Sequence, residues 1–320
     1  MFEYGLIGKN VEKSYSKQIY KILDNVDYSL LSFPDEKSVT DFIKNNVFKG
    51  INITIPYKKV AKECCSSLSK EAEKTDAVNL IIKNKNTLKG HNTDVYGFSY
   101  LLDRNGIKVK DLNCLILGTG ATSRTVEYVL KTKEAKSIYF MSRNKRKNNI
   151  YSYNDKNILE SIDLIVNTTP IYDENLINFV DCKSLKYFVD VVYNPIQTQQ
   201  MISAQDTGAR SVGGLQMLIA QAVRSSELYF NKVHESYEYD DLYKKTIVQN
   251  ANIVLIGHPF SGKSAIGYEL AKSLNLKFLD LDEEIVKLEG KPINKIFTEH
   301  GESYFRSLES KLMHKYSNEL

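Results

Sequence analysis

A chain of 320 residues is long enough for two or three domains, and with 42% hydrophobic residues it can bury several separate cores. Its 43 basic and 39 acidic residues leave a net charge of +4, which argues against a dedicated nucleic-acid or membrane-surface protein but leaves room for local basic sites that bind small anions. Cys64, Cys65, Cys114 and Cys182 form neither a CxxC pair nor a metal-ligand spacing with histidine, the usage expected of reduced cytosolic thiols.

Residues 4–8 and 50–56 read as short strands, with a helix over 38–44. A second alternation opens with a strand at 112–117, followed by glycines and a helix through 126–131. Strands recur at 137–141, 164–166 and 188–192. Strand and helix in turn predict a parallel doubly wound sheet. Over 215–231 the residues Leu215, Leu218, Ile219, Ala222 and Val223 share one helical face. The charged, tyrosine-rich stretch 234–245 reads as a linker, and the apolar run 253–256 as the first strand of another α/β unit.

Gly118-Thr119-Gly120-Ala121-Thr122-Ser123 follows a buried strand directly and opens a helix. The first glycine permits a tight turn, and the second lets the backbone approach a pyrophosphate at the helix N-terminus. Ser123 stands where a third glycine is usual, and it is small enough for the helix–strand packing needed there. An NAD enzyme would carry Asp or Glu about 20 residues on. Here the next strand ends in Ser142, Arg143 and a run of cations to Lys147, which suits the 2′-phosphate of NADP. Elsewhere such a loop would be ordinary solvated surface; its position after the second strand is what makes it a cofactor candidate.

Several pieces then become readable together. They are Ser14-Tyr-Ser16, Asn52-Ile-Thr54-Ile-Pro56-Tyr57-Lys58, Ala77-Val-Asn79 and Asn92-Thr93-Asp94, followed by Asn167-Thr-Thr-Pro170, Asp190-Val191-Val-Tyr193-Asn-Pro195 and Gly213-Gly214 through Gln221. In this order they resemble the motifs of shikimate dehydrogenases over roughly residues 1–233. The resemblance implies reversible, NADPH-dependent reduction of 3-dehydroshikimate to shikimate, in aromatic amino acid biosynthesis. Lys58 would be the catalytic lysine and Asp94 its paired carboxylate. Hydride transfer to a ring ketone builds negative charge on oxygen and calls for an adjacent proton donor, a role a lysine can fill. Ser14 and Ser16 would bind the substrate carboxylate, and Thr54, Asn79, Tyr193 and Gln221 the ring substituents. Gly118 to Ser123, Ser142, Arg143, Lys147, Val191 and Gly214 would hold NADP. Lys58 is expected to be an exposed cleft lysine that adds little to stability. The chain departs from the family around Ser14, where Gly8-Lys-Asn-Val-Glu-Lys13 lacks the usual proline and histidine before the first serine and Lys17 stands in place of the proline after the second, and at Tyr172, where a glycine is usual.

Gly257-His-Pro-Phe-Ser-Gly262-Lys263-Ser264 is a Walker A sequence between a predicted strand and a helix from about Ala265. Its amides would cradle phosphates, Lys263 would reach the β/γ-phosphates, and Ser264 would ligate Mg2+. Phe278-Leu-Asp280-Leu-Asp282 and Gly301-Glu302-Ser-Tyr-Phe305-Arg306 are similar to segments of shikimate kinase. That resemblance implies ATP and Mg2+ as ligands, Asp280 near the metal, Asp282 on shikimate hydroxyls, and Arg306 pairing with the carboxylate. The family's later glycine-rich segment, arginine-bearing lid and adenine loop have no counterpart here, so a truncated module without useful kinase activity is expected.

The expected architecture is an N-terminal α/β substrate domain, a Rossmann-type doubly wound NADP domain and a partial P-loop kinase α/β segment. Residues 1–100 form the substrate-binding catalytic domain, completed by a returning helix at 213–233. Residues 101–212 form the NADP-binding domain, 234–249 a linker, and 250–320 the truncated P-loop segment. With Glu3 near the start, no apolar h-region and no apolar run of ~20 residues, neither a signal peptide nor a membrane span is expected. The expected protein is cytoplasmic, a monomer or homodimer, with small-molecule partners and neither nucleic acid nor membrane. Two other readings stay open. One is an NAD-linked quinate/shikimate dehydrogenase, disfavoured by Arg143; the other is a non-catalytic nucleotide-sensing regulator, which would have no use for Lys58 with Asp94.

Overall fold

The computed structural model describes residues 3–85, 87–143, 149–258 and 261–319. It divides into two compact units, one through Thr246 and one from Ile247. The first unit holds two six-stranded sheets. Strands β1 (Tyr4–Gly8), β2 (Tyr28–Ser32), β3 (Gly50–Ile53), β4 (Ser67–Leu68), β5 (Leu80–Asn84) and β6 (Thr87–His91) form the first, in the order β2-β1-β3-β5-β6-β4. β1 and β3 are buried at every position, the pattern of parallel strands covered on both faces. The crossovers that make them parallel are helices α1 (Ser16–Asp24) and α2 (Glu36–Asn45). α2 starts where Asp35 accepts a hydrogen bond from Ser38 N at 2.8 Å, and it buries Val39 and Ile43 one turn apart. Helices α3 (Lys58–Cys64) and α4 (Lys70–Thr75) follow β3 and β4. β5 is antiparallel to both β3 and β6, so this sheet is mixed.

Helix α5 (Asp94–Arg104) leads into the second sheet: β7 (Asn113–Leu117), α6 (Ala121–Thr132), β8 (Ser137–Met141), β9 (Ile150–Tyr151), β10 (Leu164–Asn167), β11 (Tyr187–Asp190), α7 (Gln199–Asp206) and β12 (Arg210–Gly213). All its strands are parallel, in the order β12-β11-β10-β7-β8-β9. The order reverses between β7 and β10, the switch point where doubly wound sheets bind ligands. Helix α8 (Leu215–Phe230) returns to pack on α5 and α1. Each sheet has its own apolar core, around Ile7, Ile51 and Ile81 in the first and Ile116, Val126 and Val166 in the second. All four cysteines are free, and burial pushes the thiols of Cys65, Cys114 and Cys182 up to about 12.

The stretch that reads as a linker is a helix, α9 (Ser236–Asn250). Tyr239 is buried, stacks on Tyr100 with ring centroids 4.9 Å apart, and meets the Tyr96 hydroxyl at 2.9 Å. Arg104 reaches both carboxylate oxygens of Asp240, at 2.7 and 2.8 Å. The helix is held at its start by His234, which contacts Ser226 Oγ at 2.9 Å and Glu238 Oε1 at 3.0 Å.

The second unit contains α10 (Lys263–Leu274), α11 (Leu281–Glu289) and α12 (Ile293–Glu319), the last interrupted at Gly301. Ile285, Ile296, Phe305, Leu308 and Leu312 form its core. The strand expected at 253–256 joins no ladder among the described residues, and Ile256 is 89% exposed. A parallel strand needs a neighbour for its amides and cover on both faces, and this segment has neither there. No helix among the described residues is long and apolar enough to cross a membrane.

Candidate active site

Lys58 opens α3 and Asp94 opens α5, so the two lie at the starts of helices that follow different strands of the first sheet. Lys58 Nζ meets Asp94 Oδ2 at 2.5 Å, with the side chains 9% and 10% exposed. The exposed cleft lysine expected from the sequence is therefore a buried member of an ion pair. An ammonium this far from water needs a partner, and Asp94 supplies it. Asp94 Oδ1 accepts from Asn79 Nδ2 at 2.9 Å, and Asn79 Oδ1 accepts from Thr93 N at 2.7 Å. Asn92 Oδ1 accepts from Asp94 N at 3.2 Å, and Val78 N donates to Lys58 O at 3.0 Å. Lys58 has three donors and Asp94 takes one, which leaves donors for a substrate oxygen.

Gln221 on α8 joins this network weakly, its Oε1 lying 3.5 Å from Thr93 Oγ1. Ser14 Oγ donates to Ser16 Oγ at 3.0 Å just before α1. Tyr193, in the loop after β11, packs on the residue between Ser14 and Ser16, its ring centroid 5.3 Å from that of Tyr15. Burial raises the Tyr193 phenol above its ordinary range. Thr54 is anchored by its backbone, with N donating to Ile7 O at 2.8 Å. The structure thus gathers Lys58, Asp94, Asn79 and Gln221 in one network, and pairs Ser14 with Ser16 on either side of Tyr15, against which Tyr193 packs.

Sequence reasoning missed the side chains beneath these groups. Asn52 is buried, and its Oδ1 accepts from the hydroxyls of Tyr20 (3.0 Å), Tyr28 (2.7 Å) and Tyr229 (2.8 Å). Its Nδ2 donates to Asn79 O (3.3 Å) and Ser225 Oγ (3.1 Å). Asn52 belongs to a motif that was singled out, but nothing in the spacing of three tyrosines reveals that they share one acceptor.

At the switch point Gly118 has φ +103°, and a Cβ there would lie 2.9 Å from Thr168 Oγ1. Ser123 Oγ accepts from Gly120 N at 3.1 Å and pairs with Thr168 Oγ1 at 2.7 Å, so the residue in the third glycine's place braces the turn. Gly120 caps α6, whose first-turn amides, Ala121 and Thr122 among them, have no intrahelical partner and suit a pyrophosphate. Thr119 lies between the two glycines of the turn. Across the switch point, a Cβ on Gly214 would lie 2.2 Å from Val191 O, so glycine alone allows that approach. These residues fit a dinucleotide. Ser142 N donates to Tyr151 O at 3.0 Å, and Arg143 is exposed at the end of β8, where its charge acts on Tyr153. Lys147 lies outside the described residues.

Beside this site Asp190 is fully buried. Burial raises its carboxyl to about 6, against donors at Asn167 Nδ2 (3.0 Å), Val192 N (3.0 Å) and Thr198 Oγ1 (2.8 Å).

In the second unit Gly262 has φ +84° and caps α10. Lys263 Nζ donates to Gly257 O (2.8 Å) and His258 O (2.7 Å) in its own loop, and Ser264 Oγ donates to Asp280 Oδ2 (2.7 Å). A hydroxyl beside one carboxylate suits Mg2+, which takes few protein ligands and completes its shell with phosphate and water. Burial, and then Asp280, raise the Asp282 carboxyl, while Arg306 pairs with Glu309 at 2.7 Å and Glu302 at 3.3 Å on its own helix.

A doubly wound dinucleotide domain, joined to a second α/β domain that contributes a buried lysine–aspartate pair, defines a nicotinamide-dependent dehydrogenase. Residues 6–81 match the family model of the shikimate dehydrogenase substrate binding domain. The shikimate dehydrogenase (NADP(+)) of Clostridium botulinum (strain Hall) is 34% identical over 249 residues, spanning 72% of this chain and 96% of that one. The chain belongs to the shikimate dehydrogenase family. A chorismate mutase/shikimate 5-dehydrogenase fusion protein from Clostridium acetobutylicum is similar in structure, with TM-score 0.72 and 30% identity, covering 78% of this chain and 98% of that one. So is shikimate dehydrogenase 1 from Peptoclostridium difficile, with TM-score 0.71 and 26% identity, covering 79% of this chain and all of that one. Residues 259–320 match the family model of shikimate kinase.

Proposed function

We propose that this chain is a cytoplasmic, NADP-dependent shikimate dehydrogenase, active as a monomer or homodimer, which reversibly reduces 3-dehydroshikimate to shikimate. The observation that carries the reading is the buried Lys58–Asp94 pair in the domain facing the dinucleotide turn. When bound, NADPH supplies a hydride to the carbonyl carbon. Lys58 gives a proton to the carbonyl oxygen as charge builds there, and is reprotonated from solvent; oxidation of the alcohol runs the same transfer backwards. Asp94 fixes the ammonium, and Asn79 fixes Asp94. Ser14 and Ser16 bind the substrate carboxylate, with Thr54, Asn79, Tyr193 and Gln221 on the ring substituents. Gly118, Thr119, Gly120, Ala121, Thr122, Ser123, Ser142, Arg143, Lys147, Val191 and Gly214 hold NADP. Residues 1–100 with 213–233 act as the substrate domain and 101–212 as the NADP domain. Mixing the purified chain with shikimate and NADP+ tests this: reduced cofactor should accumulate, and none forming with either NADP+ or NAD+ would overturn it.

A second reading concerns the unit from Ile247. The Walker turn, with Ser264 on Asp280, supports binding of ATP with Mg2+, and the resemblance to shikimate kinase gives Asp282 and Arg306 to a second substrate. Titration with a fluorescent ATP analogue should give saturable, Mg2+-dependent binding that Lys263→Ala removes; binding that survives the substitution would reject the assignment.

A further inference from the structure

We propose that Arg124 is a positioning residue for the Lys58–Asp94 pair, tying the cofactor-binding turn of α6 to the substrate domain. The proposal rests on the dehydrogenase reading above. α4 ends at Thr75 and is capped by Asp76 in the left-handed region, φ +52°, and the last carbonyls of a helix have no partner within it. Arg124, in the first turns of α6, takes them: Nε donates to Thr75 O at 3.1 Å and Nη2 to Asp76 O at 3.3 Å. Nη2 also lies 3.9 Å from Asp76 Oδ2. The chain runs straight on from this cap into Val78, whose N binds Lys58 O, and Asn79, whose amide binds Asp94.

A second link runs beside the first. Buried Asn92 donates from Nδ2 to Thr75 Oγ1 at 2.7 Å and to Thr125 Oγ1 at 3.1 Å, while its Oδ1 accepts from Asp94 N. Consecutive residues of α6 therefore grip the segment and the side chain that orient both members of the pair. The same helix opens on Gly120, where the cofactor is read to bind. Arg124 and Thr125 would thereby fix how the Lys58–Asp94 pair sits relative to the turn that would hold the cofactor. The fork geometry of guanidinium matters here, because two neighbouring carbonyls need two divergent donors.

The test uses the full chain as wild type, Arg124→Met, Arg124→Lys and Thr125→Val, with steady-state kinetics in both substrates and thermal unfolding of each. Misplacement by an ångström can cost about 100-fold in rate, so kcat should fall about 10–100-fold in Arg124→Met. KM for NADP+ should stay within about threefold, because the amides of the turn remain and a lost interaction confined to the transition state appears in kcat. Arg124→Lys should recover part of the loss, and Thr125→Val, which keeps the guanidinium, should show a smaller drop of the same kind. An active wild type with Arg124→Met at normal kcat overturns the proposal alone. So does a rise in KM for NADP+ that matches the fall in kcat, since Arg124 would then be a cofactor ligand, or a loss that merely follows the unfolded fraction. A wild-type chain without dehydrogenase activity overturns the functional reading, and the proposal with it.

Discussion

Replacing Lys58 with methionine keeps the aliphatic stem and removes the charge. Asp94, about one-tenth exposed, would keep the 2.9 Å hydrogen bond from Asn79 but lose the cation at 2.5 Å. An uncompensated buried charge costs about 3–5 kcal/mol, so the variant should be folded but clearly less stable. Loss of the proton donor should lower kcat by about 10²–10⁴-fold. The two effects separate in a cycle with Asp94→Asn. The double variant has no buried charge left to compensate, and the carbonyl oxygen of the introduced amide can still accept from Asn79, so most of the lost stability should return while turnover stays low. Absorbance of the reduced cofactor follows activity, and denaturant unfolding by circular dichroism follows stability. A folded Lys58→Met enzyme turning over at close to the wild-type rate would refute the catalytic role. A double variant no more stable than Lys58→Met would refute the reading of the pair as mutually compensating charges.

Arg143→Ala should lower the preference for NADP+ over NAD+ about 10–100-fold, since a hydrogen bond to a charged group is worth about 1.5–3 kcal/mol; an unchanged ratio of kcat/KM values would make Arg143 solvated surface. Asp190 titrates near 6 in the fold against an ordinary 3.8, so the folded state holds its proton more tightly than the unfolded chain. That contribution is absent below roughly pH 4, grows as pH rises towards about 6, and costs up to about 3 kcal/mol above it. In Asp190→Asn the unfolding midpoint should therefore vary less with pH across this window, and parallel profiles for the two proteins would show that Asp190 is not strained by burial. Limited proteolysis should cut within 251–258, where no ladder protects the backbone, and spare α9, whose Tyr239, Leu242 and Thr246 are buried; early cleavage inside 236–246, mapped by mass spectrometry, would contradict the docking of α9.

The dinucleotide domain could be read from sequence because its central strands are continuous apolar runs and β7 passes at once through a glycine turn into α6. Those signals are local. The β5–β6 pair escaped because Leu80–Asn84 and Thr87–His91 are half polar and mark no clear face until β3 is placed beside them. α9 was hidden by composition: its charges suggest a solvated linker, whereas the fold uses Tyr239 and Asp240 against Tyr96, Tyr100 and Arg104 of a helix more than 130 residues earlier. The misreading at 253–256 is the reverse case. A β-prone run is there, but a strand is a relation between neighbours, and no neighbour pairs with it among the described residues. Lys58 and Asp94 were found as a pattern, yet their burial depends on Asn79 and Asn92 arriving from other elements, which no spacing along the chain encodes.

The three tyrosines on Asn52 also give the protein an optical signature. The chain has no tryptophan and 21 tyrosines, so its near-ultraviolet absorbance and intrinsic emission come chiefly from phenols. Burial holds Tyr20, Tyr28 and Tyr229 far above the ordinary ionisation range, while exposed tyrosines such as Tyr237 meet solvent freely. An alkaline titration should therefore ionise the phenols in two populations. The late one comprises the three phenols of the floor beneath Asn79 together with Tyr239, buried against α5, and they can deprotonate only as this packing opens. Tyrosinate absorbance thus becomes a label-free gauge of substrate-domain integrity, recorded without interference from indole.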